Sequence, residues 1–238
     1  MKKWVKVITA VFVLAVALIF ATAAYAGDYY PAVDVDRFMA DSTDVRVTEI
    51  KQGWFFDGPG SENALIFYPG AKVDETAYAP ILRSVCEQGV DCFLLKMPLH
   101  LALFNMDKAD EILAEYNYAD YYLAGHSLGG AMAANHAHSH QDGPSGVFLL
   151  AAYPTEDLTA SPFPVVFIYG DRDTVLNREG LEAGFKLCPD NSLKIEIAGG
   201  NHAQFGSYGA QKKDSEATVS PEEQWKITAD TILATING

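Results

Sequence analysis

The spacing of hydrophobic and polar positions changes several times along this chain, and each change marks an element. Val45-Arg46-Val47-Thr48-Glu49-Ile50 alternates apolar and polar residues, the signature of a half-exposed strand, and residues 53–56 fit an antiparallel neighbour. Ala64-Leu65-Ile66-Phe67-Tyr68 is instead a continuous apolar run, as expected of a strand buried on both faces of a sheet, and Pro69-Gly70 stops it. From there helical and apolar-strand patterns alternate. Helices are predicted near 75–88, 108–116 and 178–187, and strands at 92–96, 146–151, 165–169 and 193–197. A last helix runs from Pro221, a residue suited to a first helical turn, to Ala234, and a short helix is predicted near 35–40. Strands separated by helices imply an α/β fold with a mostly parallel central sheet flanked by helices.

One of these strands breaks in an unusual way. Tyr121-Tyr122-Leu123-Ala124-Gly125-His126-Ser127-Leu128-Gly129-Gly130 passes from an apolar strand, through a G-x-S-x-G turn, into an alanine-rich helix. Such a nucleophile elbow holds its serine on a tight turn, so the residues two before and two after must be small enough for the backbones to pass; Gly125 and Gly129 satisfy this. Ser127 is therefore the candidate nucleophile. The amide of Leu128, at the positive end of the following helix, is placed to meet an oxyanion.

A serine hydroxyl needs a base, and the base needs a carboxylate to orient it. Downstream, Gly170-Asp171-Arg172-Asp173 follows the strand at 165–169, and Ala198-Gly199-Gly200-Asn201-His202 follows the strand at 193–197. Both lie past the carboxyl ends of strands, where α/β sheets carry their ligands and reactive groups. The order serine, aspartate, histidine is that of α/β hydrolases and differs from those of chymotrypsin and subtilisin.

On these residues the sequence resembles the α/β-hydrolase superfamily, near its small esterase and dienelactone-hydrolase-like branches, over nearly all of the chain after residue 26. The resemblance implies an ester hydrolase with no cofactor; the alternatives are the same triad acting on thioesters, lactones or peptides, or an exported binding protein that keeps the fold without turnover. It selects Asp173, with Asp171 as the fallback, and His202 as partners of Ser127. It also points to Tyr68-Pro69-Gly70-Ala71-Lys72 as the oxyanion turn, where the usual histidine is missing, and so to the amide of Ala71 as the second donor beside Leu128. The connection at 153–164 is too short for a helical cap, so an open site is expected. Its walls would come from residues 96–104 and 203–209, with Lys72, Met97, His100, Gln204 and Phe205 as candidate substrate contacts.

Composition adds an address and some exclusions. Lys2, Lys3 and Lys6 precede an apolar run at 7–20 and the small-x-small sequence Ala24-Tyr25-Ala26, the form of a leader cleaved before Gly27. Residues 1–26 are thus read as a signal peptide or, if retained, a membrane anchor, and 27–238 as the hydrolase domain. The formal charge is −14, and removing the three leader lysines makes it −17. Such a surface repels nucleic acid and anionic membranes, and the partner that the resemblance implies is a small-molecule ester. Contact with a bilayer would follow only if the N-terminal segment stays attached.

Cys86, Cys92 and Cys188 lack metal-ligand spacing, and a Cys86–Cys92 bridge and buried free thiols are both open. His136, His138 and His140 alternate at the end of the elbow helix without the H-E-x-x-H carboxylate, and are read as a solvated helix end rather than a metal site.

Overall fold

The computed structural model describes residues 2–60, 62–140 and 143–238. Eight strands form one sheet: β1 (Arg46–Ile50), β2 (Gly53–Asp57), β3 (Asn63–Tyr68), β4 (Val90–Leu95), β5 (Asp120–His126), β6 (Gly146–Leu150), β7 (Val165–Gly170) and β8 (Leu193–Ile197). Their order is β1-β2-β4-β3-β5-β6-β7-β8. β2 runs antiparallel to both β1 and β4, and the pairings from β4 to β8 are parallel. The chain steps from β3 outward to β4, then returns to lay β5 on the other side of β3. This reversal opens a crevice at the carboxyl ends of β3 and β5, the place where open α/β sheets take ligands.

Residues on β3 alternate between two cores because strand side chains point to opposite faces. Leu65 and Phe67 pack with α3 (Ala79–Cys86) and α7 (Pro221–Ile236), whereas Ala64, Ile66 and Tyr68 pack with α4 (Ala109–Glu115), α5 (Leu128–Ser139) and α6 (Arg178–Phe185). Being covered on both sides explains why the inner strands read as unbroken apolar runs. The outermost strands carry the charges, Arg46 and Glu49 on β1, Lys194 and Glu196 on β8, which discourage pairing with another chain.

Two elements differ from the expected pattern. The helix predicted at 75–88 divides into a 3-10 turn at Glu75–Tyr78, capped by Asp74 Oδ1 accepting from the Thr76 amide at 2.9 Å, and the helix α3. Pro80 sits in the first turn of α3, where its missing N–H costs nothing. The segment after β4 forms three successive 3-10 turns, Pro98–His100, Ala102–Phe104 and Met106–Lys108, with Leu99 and His100 both at positive φ. The short helix near 35–40 appears as α2 (Asp36–Met39), and no helix interrupts residues 153–164, so the absence of a cap holds.

Residues 2–27 form a single helix, α1 (Lys2–Gly27), with Trp4, Ile8, Phe12 and Leu14 exposed. After it a short strap crosses two loops. Tyr30 bridges to Val73 in parallel, and Val33 exchanges hydrogen bonds with Ser207.

All three cysteines are buried free thiols, so of the two alternatives the bridge is the one not formed. Each Sγ donates to a backbone carbonyl: Cys86 to Phe56, Cys92 to Val90 and Cys188 to Gly184. Burial pushes Cys86 and Cys188 up to about 12 and Cys92 well above the ordinary thiol value. Native protein treated with Ellman's reagent at neutral pH is therefore expected to show almost no rapidly reacting thiol, and all three should react once it is unfolded. Rapid reaction of the native protein would contradict this burial.

Candidate active site

Ser127 stands between the end of β5 and the start of α5 with φ 52° and ψ −123°. A residue with a Cβ is strained there by roughly 1–3 kcal/mol, so the surroundings must enforce it. They do so through close backbone approach. A Cβ on Gly125 would lie 2.6 Å from the backbone of Gly129 and Gly130, and one on Gly129 would lie 2.2 Å from the Tyr68 carbonyl oxygen and 2.3 Å from that of Pro69. The second contact presses the turn after β3 against the first turn of α5. Leu128 opens that helix, so its amide has no intrahelical acceptor. The amide of Ala71, in the adjoining turn, likewise has no acceptor among the described residues.

His202 and Asp173 meet as the sequence order implies. His202 Nδ1 lies 2.8 Å from Asp173 Oδ2, and both side chains are buried. Asp173 Oδ1 accepts from the amides of Val175 and Leu176 at 2.9 and 2.8 Å, which fixes the carboxylate in place. With Nδ1 donating to Asp173, Nε2 carries the lone pair; it is buried and has no hydrogen-bond partner among the described residues, Ser127 Oγ included. Asp171, the fallback, serves elsewhere: its Oδ1 accepts from the Gly199 amide at 2.7 Å and ties the two loops together.

His126 links these parts. It precedes Ser127, and its ring lies 4.5 Å from that of His202. Its Nδ1 is 2.8 Å from the hydroxyl of Tyr78, which also accepts from the Gly70 amide at 3.0 Å. Because that hydroxyl already accepts from Gly70, its own proton falls to His126 Nδ1. Burial, and next the neighbouring His202, hold His126 well below the ordinary imidazole value, so it stays neutral. Tyr78 thus pins Gly70, one residue before Ala71. Nothing local in the sequence marked Tyr78.

The candidate substrate contacts fare differently. Met97 and Phe205 are buried, Met97 in the core beneath α5 and Phe205 against the His126 ring, and are closed to a ligand in this structure. His100 stacks on Tyr29 and accepts the Lys72 amide through its carbonyl. The Lys72 ammonium donates to the Tyr25 carbonyl and lies over the Tyr25 ring. Gln204 lines a cavity of about 950 Å³ on the outer side of the His202 loop, with Arg37, Asp214 and Trp225; Ser127 is not among its lining residues. Apolar character and loop position nominated these residues, but neither says which way a side chain turns.

The three histidines at the end of α5 are not all solvated. His136 is fully buried, with Nε2 2.8 Å from Asp110 Oδ1, while His138 and His140 reach solvent.

Residues 64–226 match the alpha/beta hydrolase family. The chain belongs to that family. Among solved structures, Est1E from Butyrivibrio proteoclasticus superposes with a TM-score of 0.58 at 15% identity, over 82% of this chain and 100% of that one. A membrane phospholipase A described as a bacterial virulence factor gives 0.63 at 13% identity over 100% of both chains. The thioesterase domain from the curacin biosynthetic pathway gives 0.56 at 11% identity, over 81% and 100%. At these identities the likeness is one of fold. No curated protein sequence matches the chain.

Two expectations follow for this α/β hydrolase. Tyr78→Phe strands the Gly70 amide and His126 Nδ1 in the core, and should lower the unfolding free energy in urea by about 2 kcal/mol; a change under about 0.5 kcal/mol would mean the hydroxyl is dispensable. Second, a histidine depressed in the folded state leaves the unfolded chain to bind its proton first. Stability from His126 is thus complete above the unfolded value of about 6.5 and declines as pH falls below it. Urea midpoints measured from about pH 7 to 5 should fall more steeply for the wild type than for His126→Gln. Parallel slopes would refute it.

Proposed function

We propose that the protein is a serine hydrolase of small carboxylic esters, working through an acyl-enzyme on Ser127. The observation that carries this reading is the buried Asp173–His202 pair, with the free Nε2 of its imidazole beside the strained turn that presents Ser127. In the reaction His202 Nε2 removes the Ser127 proton as Oγ attacks the ester carbonyl. The amides of Leu128 and Ala71 receive the developing oxyanion, and His202 then returns the proton to the leaving alcohol. Water, deprotonated by the same nitrogen, releases the acid. Asp173 holds the imidazole in the tautomer that leaves Nε2 free and stabilises the imidazolium. The hydrogen bond between Ser127 and His202 is absent in this structure and would form as substrate settles, as is usual for such pairs.

An ester is favoured by the uncapped approach to Ser127 and is consistent with the esterase and phospholipase named among the structural relatives. The thioesterase among them makes thioesters the first alternative to screen, ahead of lactones and peptides. The same reading extends to location: residues 1–26 serve as an export leader cut after Ala26, which would release the Lys72 ammonium from Tyr25 beside the oxyanion turn.

A fluorophosphonate probe should label Ser127 and no other residue of the folded chain, and Ser127→Ala should abolish labelling. Asp173→Asn should leave the fold intact and lower kcat on an activated ester by roughly 10³–10⁴-fold, since the imidazole then takes the wrong tautomer. Folded protein that resists the probe and hydrolyses no activated ester would mark a binding protein that has kept the fold without turnover.

A further inference from the structure

The end of α5 farthest from Ser127 carries a cluster that the proposed reaction does not use. His136 and His140 are one helical turn apart and face the same side. Across from them, α4 brings in Asp110 from its first turn. Asp110 Oδ1 lies 2.8 Å from His136 Nε2 and 3.6 Å from His140 Nε2, and the three atoms are all within 4.8 Å of one another. The carboxylate missing from the local sequence is thus supplied from 26 residues upstream.

We propose that Asp110, His136 and His140 form a binding site for a divalent transition-metal ion such as Zn²⁺.

The donor set is two imidazoles and one carboxylate, which leaves room for water on the open side and suits Zn²⁺ and its neighbours rather than Mg²⁺ or Ca²⁺, which prefer oxygen ligands. The 3.6 Å from Asp110 Oδ1 to His140 Nε2 is close to the roughly 3.4 Å that separates two tetrahedral ligands each about 2.0–2.2 Å from one ion, whereas the 2.8 Å to His136 Nε2 is a hydrogen bond that would lengthen as an ion replaced its proton. One histidine is already oriented from behind: His140 Nδ1 lies 3.0 Å from the His136 carbonyl and donates to it, which leaves the lone pair of Nε2 facing Asp110. His136 is held rigidly by full burial, while Asp110 and His140 have side chains 46% and 39% exposed, so an ion can enter. The two rings are stacked 4.3 Å apart at 14°, and the exposed His140 ring must tilt for both nitrogens to aim at one point. Neither Lys nor Arg forms an ion pair with Asp110 among the described residues. Asp107 lies one turn before it, and the net charge of −14 favours a cation further.

His136 is nine residues beyond Ser127, about 13 Å along the axis of α5, so the ion would not touch the reacting atoms. Its effect would be to fasten α4 to the helix whose other end shapes the elbow. This inference stands whether or not Ser127 is a nucleophile.

Full-length protein, free of any histidine tag and stripped with EDTA, should bind one Zn²⁺ per chain in a calorimetric titration and melt at a higher temperature once loaded. Asp110→Asn and His140→Ala should each weaken Zn²⁺ by at least the roughly 10–100-fold that loss of an outer-shell partner costs elsewhere. His138→Ala, which changes a neighbouring histidine outside the cluster, should bind as the wild type does, and Mg²⁺ should not bind. Circular dichroism of each variant separates lost binding from lost fold. No Zn²⁺ uptake at millimolar metal, or uptake that survives both Asp110→Asn and His140→Ala, would overturn the site.

Discussion

The site depends on one close contact, the packing of the turn after β3 against the first turn of α5. Gly129 allows carbonyls from Tyr68 and Pro69 to come where a methyl group would otherwise sit. That approach does two things together. It forces Ser127 into a backbone conformation that a serine would not choose, and it brings the Ala71 turn alongside Leu128 at the crevice left where the chain reverses between β3 and β5. A strain of a few kcal/mol is a sizeable part of the stability of a domain this size. It persists because the inner strands on both sides of β5 are fully buried and leave the turn nowhere to relax.

Around that contact several polar groups are satisfied from within. Asp173 receives two amides and one imidazole, and Tyr78 receives Gly70 and donates to His126. In a low-dielectric interior such bonds are worth more than in water, and an unpaired group costs more. Two ring nitrogens in this network, Nε2 of His202 and Nε2 of His126, are buried without a partner among the described residues, and with Nδ1 donating to Asp173 the one on His202 is an open acceptor. The neutral His126 beside it matters too. Burial keeps that imidazole, 4.5 Å from the His202 ring, from charging.

Much of this was legible in the sequence because the determinants are local or follow from strand order. Gly125 and Gly129 announce the elbow through spacing alone, and Asp173 and His202 declare themselves by standing just past two apolar runs. The sheet followed from buried runs alternating with helices. What stayed hidden depends on contacts between distant segments. Nothing near Tyr78 in sequence points to its role, because its partner His126 is 48 positions away. Nothing near Asp110 in sequence points to His136, because that partner is 26 positions away. Met97 and Phe205 were apolar residues in loops near the site, and only the packing shows that they turn into the cores. Periodicity reports which face of an element is buried, but loops have no period.

The strap after α1 extends the same logic to the loops. The Ala71 turn and the His202 loop come from opposite ends of the sequence, and neither is part of the sheet ladder. Tyr30 hydrogen-bonds on both sides of the first, to the Lys72 carbonyl and the Asp74 amide, and Val33 is bonded to Ser207 in the second. Tyr30 also packs its ring 5.6 Å from that of Tyr208. The four residues Tyr30 to Val33 thus span the two loops that carry Ala71 and His202. Loops joined in this way lose the independent motion that would spoil a geometry needing sub-ångström placement. The strap begins beyond residue 26, so cleavage there would leave this brace in place while removing the exposed apolar helix.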